Sequence, residues 1–348
     1  MKFYNRRQSK MWSVVLIMIV FILMLTACSQ FGGAEPAAAP KTPVRLQLGW
    51  VKDYSFAGFA AAEQNGHFAD QGLEVTLIEG GFGEQGFIDP VRQVLDGDAD
   101  FGVVDLSAIL AARAAGEPIV AIAATLQRSP TALITRAEDN IIRPSDLRDK
   151  RVSVADGGGR AVFETLMSSQ DIDPAEIDII SRQDFGIDPL LNSEVDALWG
   201  WITNEGVLME EANVEANVIF PSDYGFDIYT GLLFTTETML EEQPEVIERF
   251  LRAFIEGHQD VLDDPQQALG YVLDANESLV SEEQDRRLQA FLPLIKPPGT
   301  VIGQMRPEIW QLVYQITLDN DLLSTSVDLE AAYTSEFIEK IYGETANQ

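Results

Sequence analysis

Val44-Arg45-Leu46-Gln47-Leu48-Gly49-Trp50 alternates apolar and polar side chains, the two-residue period of a strand. Past it, 56–66 is Ala-rich and helix-compatible with Gly66 as its stop, 73–78 reads as a strand, and 88–95 as a helix closed by Gly97. A strand at 101–104, a helix over 106–115 ending at Gly116, and strands at 118–123 and 131–135 complete the series. Strand, helix, strand at this spacing builds βαβ units, which predicts an α/β fold with mostly parallel sheets flanked by helices. A second series begins after Pro144-Ser145-Asp146-Leu147, with strands at 152–155, 177–180, 195–199 and 218–220 and helices at 160–169 and about 204–212. A strand at 231–235 then returns to the first series. The remainder reads as helices over 244–262, 286–294, 309–318 and 333–342; in the first of these Val246, Ile247, Phe250, Leu251, Phe254 and Ile255 recur at helical spacing.

This order predicts two lobes: 44–135 plus 231–348 as lobe 1, with 136–230 inserted as lobe 2. Two chain crossings, near Thr135 and Thr230, form a hinge, and a ligand sits between the lobes. In open α/β sheets the crevice lies beyond the carboxyl ends of the strands. That directs attention to Trp50, Asp105, Gln127, Asp156 and Trp201, and to the loop carrying Asp53, Tyr54 and Phe56. Trp199 and Trp201 share one parity, which assigns one to the core and the other, Trp201, to the cleft. Asp105 and Asp156 follow strands, where an aspartate serves equally as a helix cap or as a partner for polar ligand groups. Gly157-Gly158-Gly159 before a helix offers free backbone N–H groups, but lacks the Lys-Ser/Thr of a nucleotide loop.

The chain has 348 residues, 24 Lys+Arg against 55 Asp+Glu for a formal charge of −31, 46% hydrophobic residues and one cysteine. Such acidity disfavours nucleic acid and a basic membrane-binding face. One cysteine excludes an internal disulfide framework and multi-thiolate metal sites. Asp96, Asp98 and Asp100 mimic the start of a calcium loop, yet Phe101 and Ser107 stand where glycine and glutamate are needed. No metal and no cofactor is expected.

The N-terminus carries Lys2, Arg6, Arg7 and Lys10, then an apolar run over 14–25 that ends in Leu25-Thr26-Ala27-Cys28. The run has the length of a signal-peptide core and is short for a spanning helix. The whole resembles a bacterial lipoprotein signal, which implies a signal peptide over 1–27 and lipid on the Cys28 thiol. Residues 28–43, rich in Ala, Gly and Pro, read as a flexible tether.

The segments Gly49-Trp50, Gly58-Phe59-Ala60-Ala61-Ala62-Glu63, Gly66-His67-Phe68 and Gly72-Leu73-Glu74-Val75 come first. Val94-Leu95-Asp96-Gly97-Asp98-Ala99-Asp100-Phe101-Gly102-Val103, Gly116-Glu117-Pro118, Gln127-Arg128-Ser129-Pro130, Val195-Asp196-Ala197 and Thr203-Asn204-Glu205 follow in order. Together they resemble the solute-binding proteins related to thiamine-pyrimidine precursor binding, a group that also holds nitrate, sulfonate and taurine binders. The resemblance implies the type II periplasmic-binding-protein fold and a role as the extracytoplasmic component of an ABC importer. Its implied partners are a small-molecule ligand, the permease's transmembrane subunits and, through the lipid, the membrane, with the protein itself a monomer. It also implies Trp50 as an aromatic wall against a planar heteroaromatic and Glu205, beside Asn204, as acceptor for ring N–H groups. This chain departs from the pattern at Val51-Lys52-Asp53-Tyr54-Ser55 and at Asn204, where an aromatic is common.

Other readings are an anion binder of the same fold, a sensor or adhesin lipoprotein, and an enzyme resembling the yeast pyrimidine synthase. Against the anion, Asp53, Asp105, Asp156 and Glu205 outnumber Lys52, Arg128 and Arg160 in the expected cleft. Against the enzyme, no cysteine follows Cys28, and His67 and His258 fall in a helix-end turn and a helix expected at the surface.

Overall fold

The computed structural model describes residues 40–83, 86–155, 158–182, 186–323 and 325–345. The signal, Cys28 and most of the tether, as well as Asp156 and Gly157, lie outside them. The alternating segment becomes β1 (Thr42–Gln47), starting before Val44 and so inside the expected tether. Pro43 is tolerated there because pairing with the neighbouring strand on its N–H side starts only at Leu46. The chain continues through α1 (Ala57–Gln64), β2 (Leu73–Ile78), β3 (Phe82–Gly83), β4 (Gly86–Phe87), α2 (Pro90–Leu95), β5 (Phe101–Val104), α3 (Leu106–Ala114) and β6 (Ile119–Ala124). Then come β7 (Thr131–Arg136), β8 (Arg151–Val154), α4 (Gly158–Ser169), β9 (Asp178–Ser181), β10 (Ala197–Trp201), β11 (Ala216–Ile219) and β12 (Leu232–Thr236). The C-terminal third is helical: α5 (Pro244–Asp263), α6 (Pro265–Ala275), α7 (Ser281–Ile295), α8 (Pro307–Asp319) and α9 (Glu336–Thr345).

Two five-stranded sheets result, ordered β2-β1-β5-β12-β6 and β11-β7-β10-β8-β9. Each is parallel apart from one strand. β12 runs against β5 and β6, and β7 runs against β10 and β11. These two are the strands by which the chain enters each sheet from the other. The expected boundary near Thr135 is therefore corrected: Thr131–Arg136 belongs to the second sheet, and the first crossing is 125–130. Its uniformly apolar strand carries no mark of which sheet it joins, because both sheets are buried on both faces. The second crossing, between Ile219 and Leu232, lies close to the expected Thr230.

The crossings are tied together. Thr125 donates from its N–H and its hydroxyl to the Gly231 carbonyl, at 2.9 and 3.1 Å. Arg128 pairs with Asp223 at 2.6 Å and lies 3.9 Å over the Phe220 ring. Asp227 accepts from Arg306 at 2.6 Å and from the Ser129 N–H.

Four apolar clusters hold the sheets and helices. Phe250 of α5 stacks on Phe101 at 4.4 Å. α5 closes tightly on α1: a Cβ on Gly257 would come 2.3 Å from the Gly58 carbonyl oxygen, so side chains there would force the helices apart. His258, expected at the surface, is buried beside Gly58, Phe59 and Phe254 and bonds the Phe254 carbonyl at 2.8 Å. Burial pushes its imidazole down to about 4, so it is neutral. Nor does 231–348 belong wholly to the first sheet. Ile316 of α8 is buried in the same cluster as Phe163 and Trp199, which cover the second sheet.

Candidate functional site

β1, β2 and β5 run side by side in one direction, so their carboxyl ends open on one edge. Trp50, just past β1, is 44% exposed, and its carbonyl accepts the Gly80 N–H at 2.9 Å. Gly80 permits this closure, since a Cβ there would meet the Leu48 carbonyl oxygen at 2.2 Å. The Phe82 ring stands edge-on to Trp50, with centroids 5.9 Å apart at 85°.

Beside it, past β5, Asp105 precedes α3 without capping it, and its carboxyl has no hydrogen-bond partner among the described residues. Asp105 is open to solvent on one side and crowded by protein on the others. That crowding pushes its carboxyl up to about 7. Water on the open side moderates the crowding. Gln127, past β6, is buried; its Nε2 donates to the Gln304 carbonyl at 3.0 Å, while its Oε1 has no partner. Thr230, on the second crossing, likewise has an unpartnered, buried hydroxyl.

The loop after Trp50 is corrected in part. Asp53 serves as a turn former, its Oδ1 accepting from the Ser55 N–H and hydroxyl at 2.9 and 2.5 Å, and burial holds its carboxyl above the ordinary range. Tyr54 and Phe56, expected to face the crevice, are buried in the core. The Tyr54 ring meets Phe291 edge-on at 5.5 Å, its N–H donates to Gln284, and burial pushes its phenol up to about 12. The physical reason is the short helical turn Tyr54–Phe56, which rotates both rings inward against α7 and α1.

In the second sheet the indoles divide. Trp199 is buried against Phe163, and Trp201 is 42% exposed at the end of β10. A π-helical turn, Ile202–Gly206, follows at once; such turns are rare and concentrate at functional sites. Glu205 sits inside it, only 2% exposed, and so does not reach a ligand as placed here. Its Oε1 accepts from Arg182 at 2.6 Å and from Asn204 at 3.2 Å; its Oε2 accepts the Trp201 N–H at 2.7 Å. The expectation that Glu205 receives ligand N–H groups is corrected: its carboxylate is consumed in a buried ion pair that shapes the turn, and the Asn204 amide is spent on it as well. Gly200 makes room for the pair, since a Cβ there would lie 2.7 Å from Glu205 Oε2. Gly158 opens α4, with Asp156 and Gly157 before it outside the described residues.

Sequence reasoning missed Arg182, Phe82 and Phe87, and named Thr230 only as a chain crossing. Arg182 carried a usable signal, a lone cation directly after a strand. Two cavities, of about 460 Å³ around His67 and Asp260 and about 200 Å³ around Ser153 and Arg182, take none of Trp50, Asp105, Gln127 and Trp201. His67 pairs with Asp260 at 2.6 Å and Glu256 at 3.2 Å, and no cluster fit for a metal occurs among the described residues.

The family model described as NMT1/THI5 like matches residues 53–268. The chain belongs to the NMT1/THI5-like family. Among family relatives it is similar to the riboflavin-binding protein RibY of Chloroflexus aurantiacus, 25% identical over 93% of this chain and 97% of that one. It is also 24% identical to the formylaminopyrimidine-binding protein of Halalkalibacterium halodurans, over 92% and 98%. A relative from Legionella pneumophila, 24% identical over 86% and 93%, is named as 4-amino-5-hydroxymethyl-2-methylpyrimidine phosphate synthase. The periplasmic aliphatic sulphonate binding protein SsuA of Escherichia coli superposes with a TM-score of 0.65 at 15% identity, over 84% of this chain and 92% of that one. The NMT1/THI5-like chain thus has the two-lobed α/β fold of periplasmic binding proteins.

Proposed function

We propose that this NMT1/THI5-like protein is the extracytoplasmic solute-binding component of an ABC importer. It captures a planar heteroaromatic with a pyrimidine-type ring between its two sheets, anchored to the membrane by lipid on Cys28 and delivering to a permease. One observation carries the reading: an exposed indole at the end of β1 lies next to the strand end that carries Asp105, whose exposed carboxyl has no hydrogen-bond partner among the described residues. An indole supplies a flat apolar face, worth about 0.5–1.5 kcal/mol in stacking beyond area burial. The Asp105 carboxyl oxygens accept from ring or exocyclic N–H groups. The binding proteins among its relatives support the ligand class. The two crossings, bonded to each other through Thr125 and Gly231, supply a hinge about which ligand affinity selects a closed state.

An anion is disfavoured because Arg128 and Arg160 are paired with Asp223 and Glu164. Binding without chemistry is proposed because no cysteine follows Cys28 and His258 is sealed in the core. Calorimetry on the full chain in detergent tests this with 4-amino-5-hydroxymethyl-2-methylpyrimidine, riboflavin and an alkanesulfonate. The expected result is binding of at least one heteroaromatic, recovered unchanged, and a loss of about tenfold or more in Trp50→Ala. Tighter binding of the sulfonate, or turnover of the ligand, would overturn it.

A further inference from the structure

α7 is rooted in the first sheet's core, yet it reaches the second. Its Leu288, Phe291, Leu294 and Ile295 are buried in one cluster with Leu46 and Phe101. The Leu294 carbonyl, left without a partner in its own helix end, accepts the Gln127 N–H at 2.9 Å and the Arg128 N–H at 3.2 Å. That fastens α7 to the first crossing. Further along, the helix lies against the π-helical turn Ile202–Gly206, and Ile202 packs on the first sheet's cluster. Arg286 extends the contact. Its Nη2 and Nε lie 3.0 and 3.1 Å from Glu211 Oε1, at the end of the short helix Val207–Glu211. This helix belongs to the second sheet, since Met209 is buried with Ile134 and Leu198. Arg286 also donates from Nη1 to Glu282, one turn back on α7, at 3.0 Å.

Arg286 thus has one carboxylate on its own helix and one on the other lobe. We propose that it is the latch of the closed state: it grips Glu211 while a ligand is enclosed and falls back on Glu282 when the lobes part. The inference rests on the proposed function and deepens it by naming a contact that governs release. Parting from Glu211 strands no buried charge, because the guanidinium keeps Glu282 and all three side chains reach water. The sealed Arg182–Glu205 pair has no such second arrangement in water. Leverage favours the same role. The helical rise from Leu294 back to Arg286 puts the guanidinium's root about 12 Å from the crossing. A rotation of about 15° there moves that point by about 3 Å, enough to break the bonds to Glu211. An exposed pair grips modestly and is screened by salt, which suits a contact that must break in every cycle.

Stopped-flow fluorescence on the full chain in detergent, with riboflavin and 4-amino-5-hydroxymethyl-2-methylpyrimidine as probes, reads release. Hydrogen–deuterium exchange without a probe reads the contact itself. Glu211→Arg sets two guanidinium groups against each other and should speed release about threefold to tenfold, with faster exchange over 202–206 in the free chain. Glu211→Gln should speed release by about twofold to fivefold and remove most of the salt dependence that wild-type release shows. Arg286→Glu/Glu211→Arg remakes the pair with its charges exchanged and should bring both readouts back towards wild type. All three variants should melt close to wild type, since an exposed pair contributes little to folding. Release and exchange untouched by Glu211→Arg, or a double reversal that restores neither, overturns the inference and leaves the binding function standing. Faster exchange with unchanged release overturns it too, because the contact then braces the fold without governing the ligand. A wild type that binds neither probe removes the proposed function together with this inference.

Discussion

The end of β1 and the end of β10 are built from the same cue, an exposed tryptophan past an apolar strand, and they come to opposite uses. At β1 the groups around Trp50 turn outward: an open indole, a phenyl edge against it and an uncapped carboxyl at the next strand. At β10 the polar groups turn inward, where Arg182 from the end of β9 draws Glu205 and Asn204 into a buried network beneath Trp201. A carboxylate without a cation nearby stays available to a ligand; one with a buried guanidinium in reach does not.

Breaking the inward end should have the largest effect. Glu205→Gln leaves the Arg182 charge buried and unpaired and should cost about 3–5 kcal/mol of stability, read by urea unfolding. Arg182→Met/Glu205→Leu should restore most of it, because the desolvation of both charges disappears together. A loss under about 1 kcal/mol in the single variant would mean that the pair is not closed in solution.

Glycines sharpen the contrast. Gly200→Ala drives a methyl into the ion pair and Gly80→Ala drives one into the Leu48 carbonyl, each at about 1–3 kcal/mol. Only Gly80→Ala should also weaken ligand binding, since it alone displaces the loop that holds Trp50. Equal effects on binding would erase the distinction between the two ends.

The smallest effect concerns pH. Crowding by protein on its closed sides raises the Asp105 carboxyl to about 7, so the folded chain keeps its proton where the unfolded chain has lost it. The stability this contributes is present below about pH 4 and is lost as pH rises to about 7. Asp105→Asn should therefore melt higher than wild type at pH 8 and match it at pH 4. Buried, neutral His258 acts in the opposite sense, its contribution present above about 6.5 and lost as pH falls towards about 4. A pH profile of wild type alone blends the two, and the substitution separates them. No difference at pH 8 would mean that water on the open side solvates the Asp105 carboxylate fully.

Much of the fold was legible in the chain because periodicity is a local property. Val44 to Trp50, the Phe250 and Phe254 face of α5, and the glycine stops at Gly66, Gly97 and Gly116 each announce their element without reference to anything distant. Strand ends also pointed to Trp50, Asp105 and Trp201, which the structure leaves exposed. Tyr54 and Phe56 were not legible, since a three-residue turn decides which way they face. Phe82 and Phe87 were hidden because a two-residue hairpin is too short to have a period.

The sequence by itself determined the order of strands and helices, the doubled α/β series and the strand ends at which a ligand site is proposed. Hydrophobic spacing and turn residues act over a few positions and need no partner. Only the tertiary structure decided that β7 joins the second sheet, that Glu205 is spent on Arg182, and that Phe82 leans on Trp50. Those outcomes depend on which groups distant in sequence arrive within hydrogen-bonding or packing distance, and energies that short in range leave no trace in the spacing of residues along the chain.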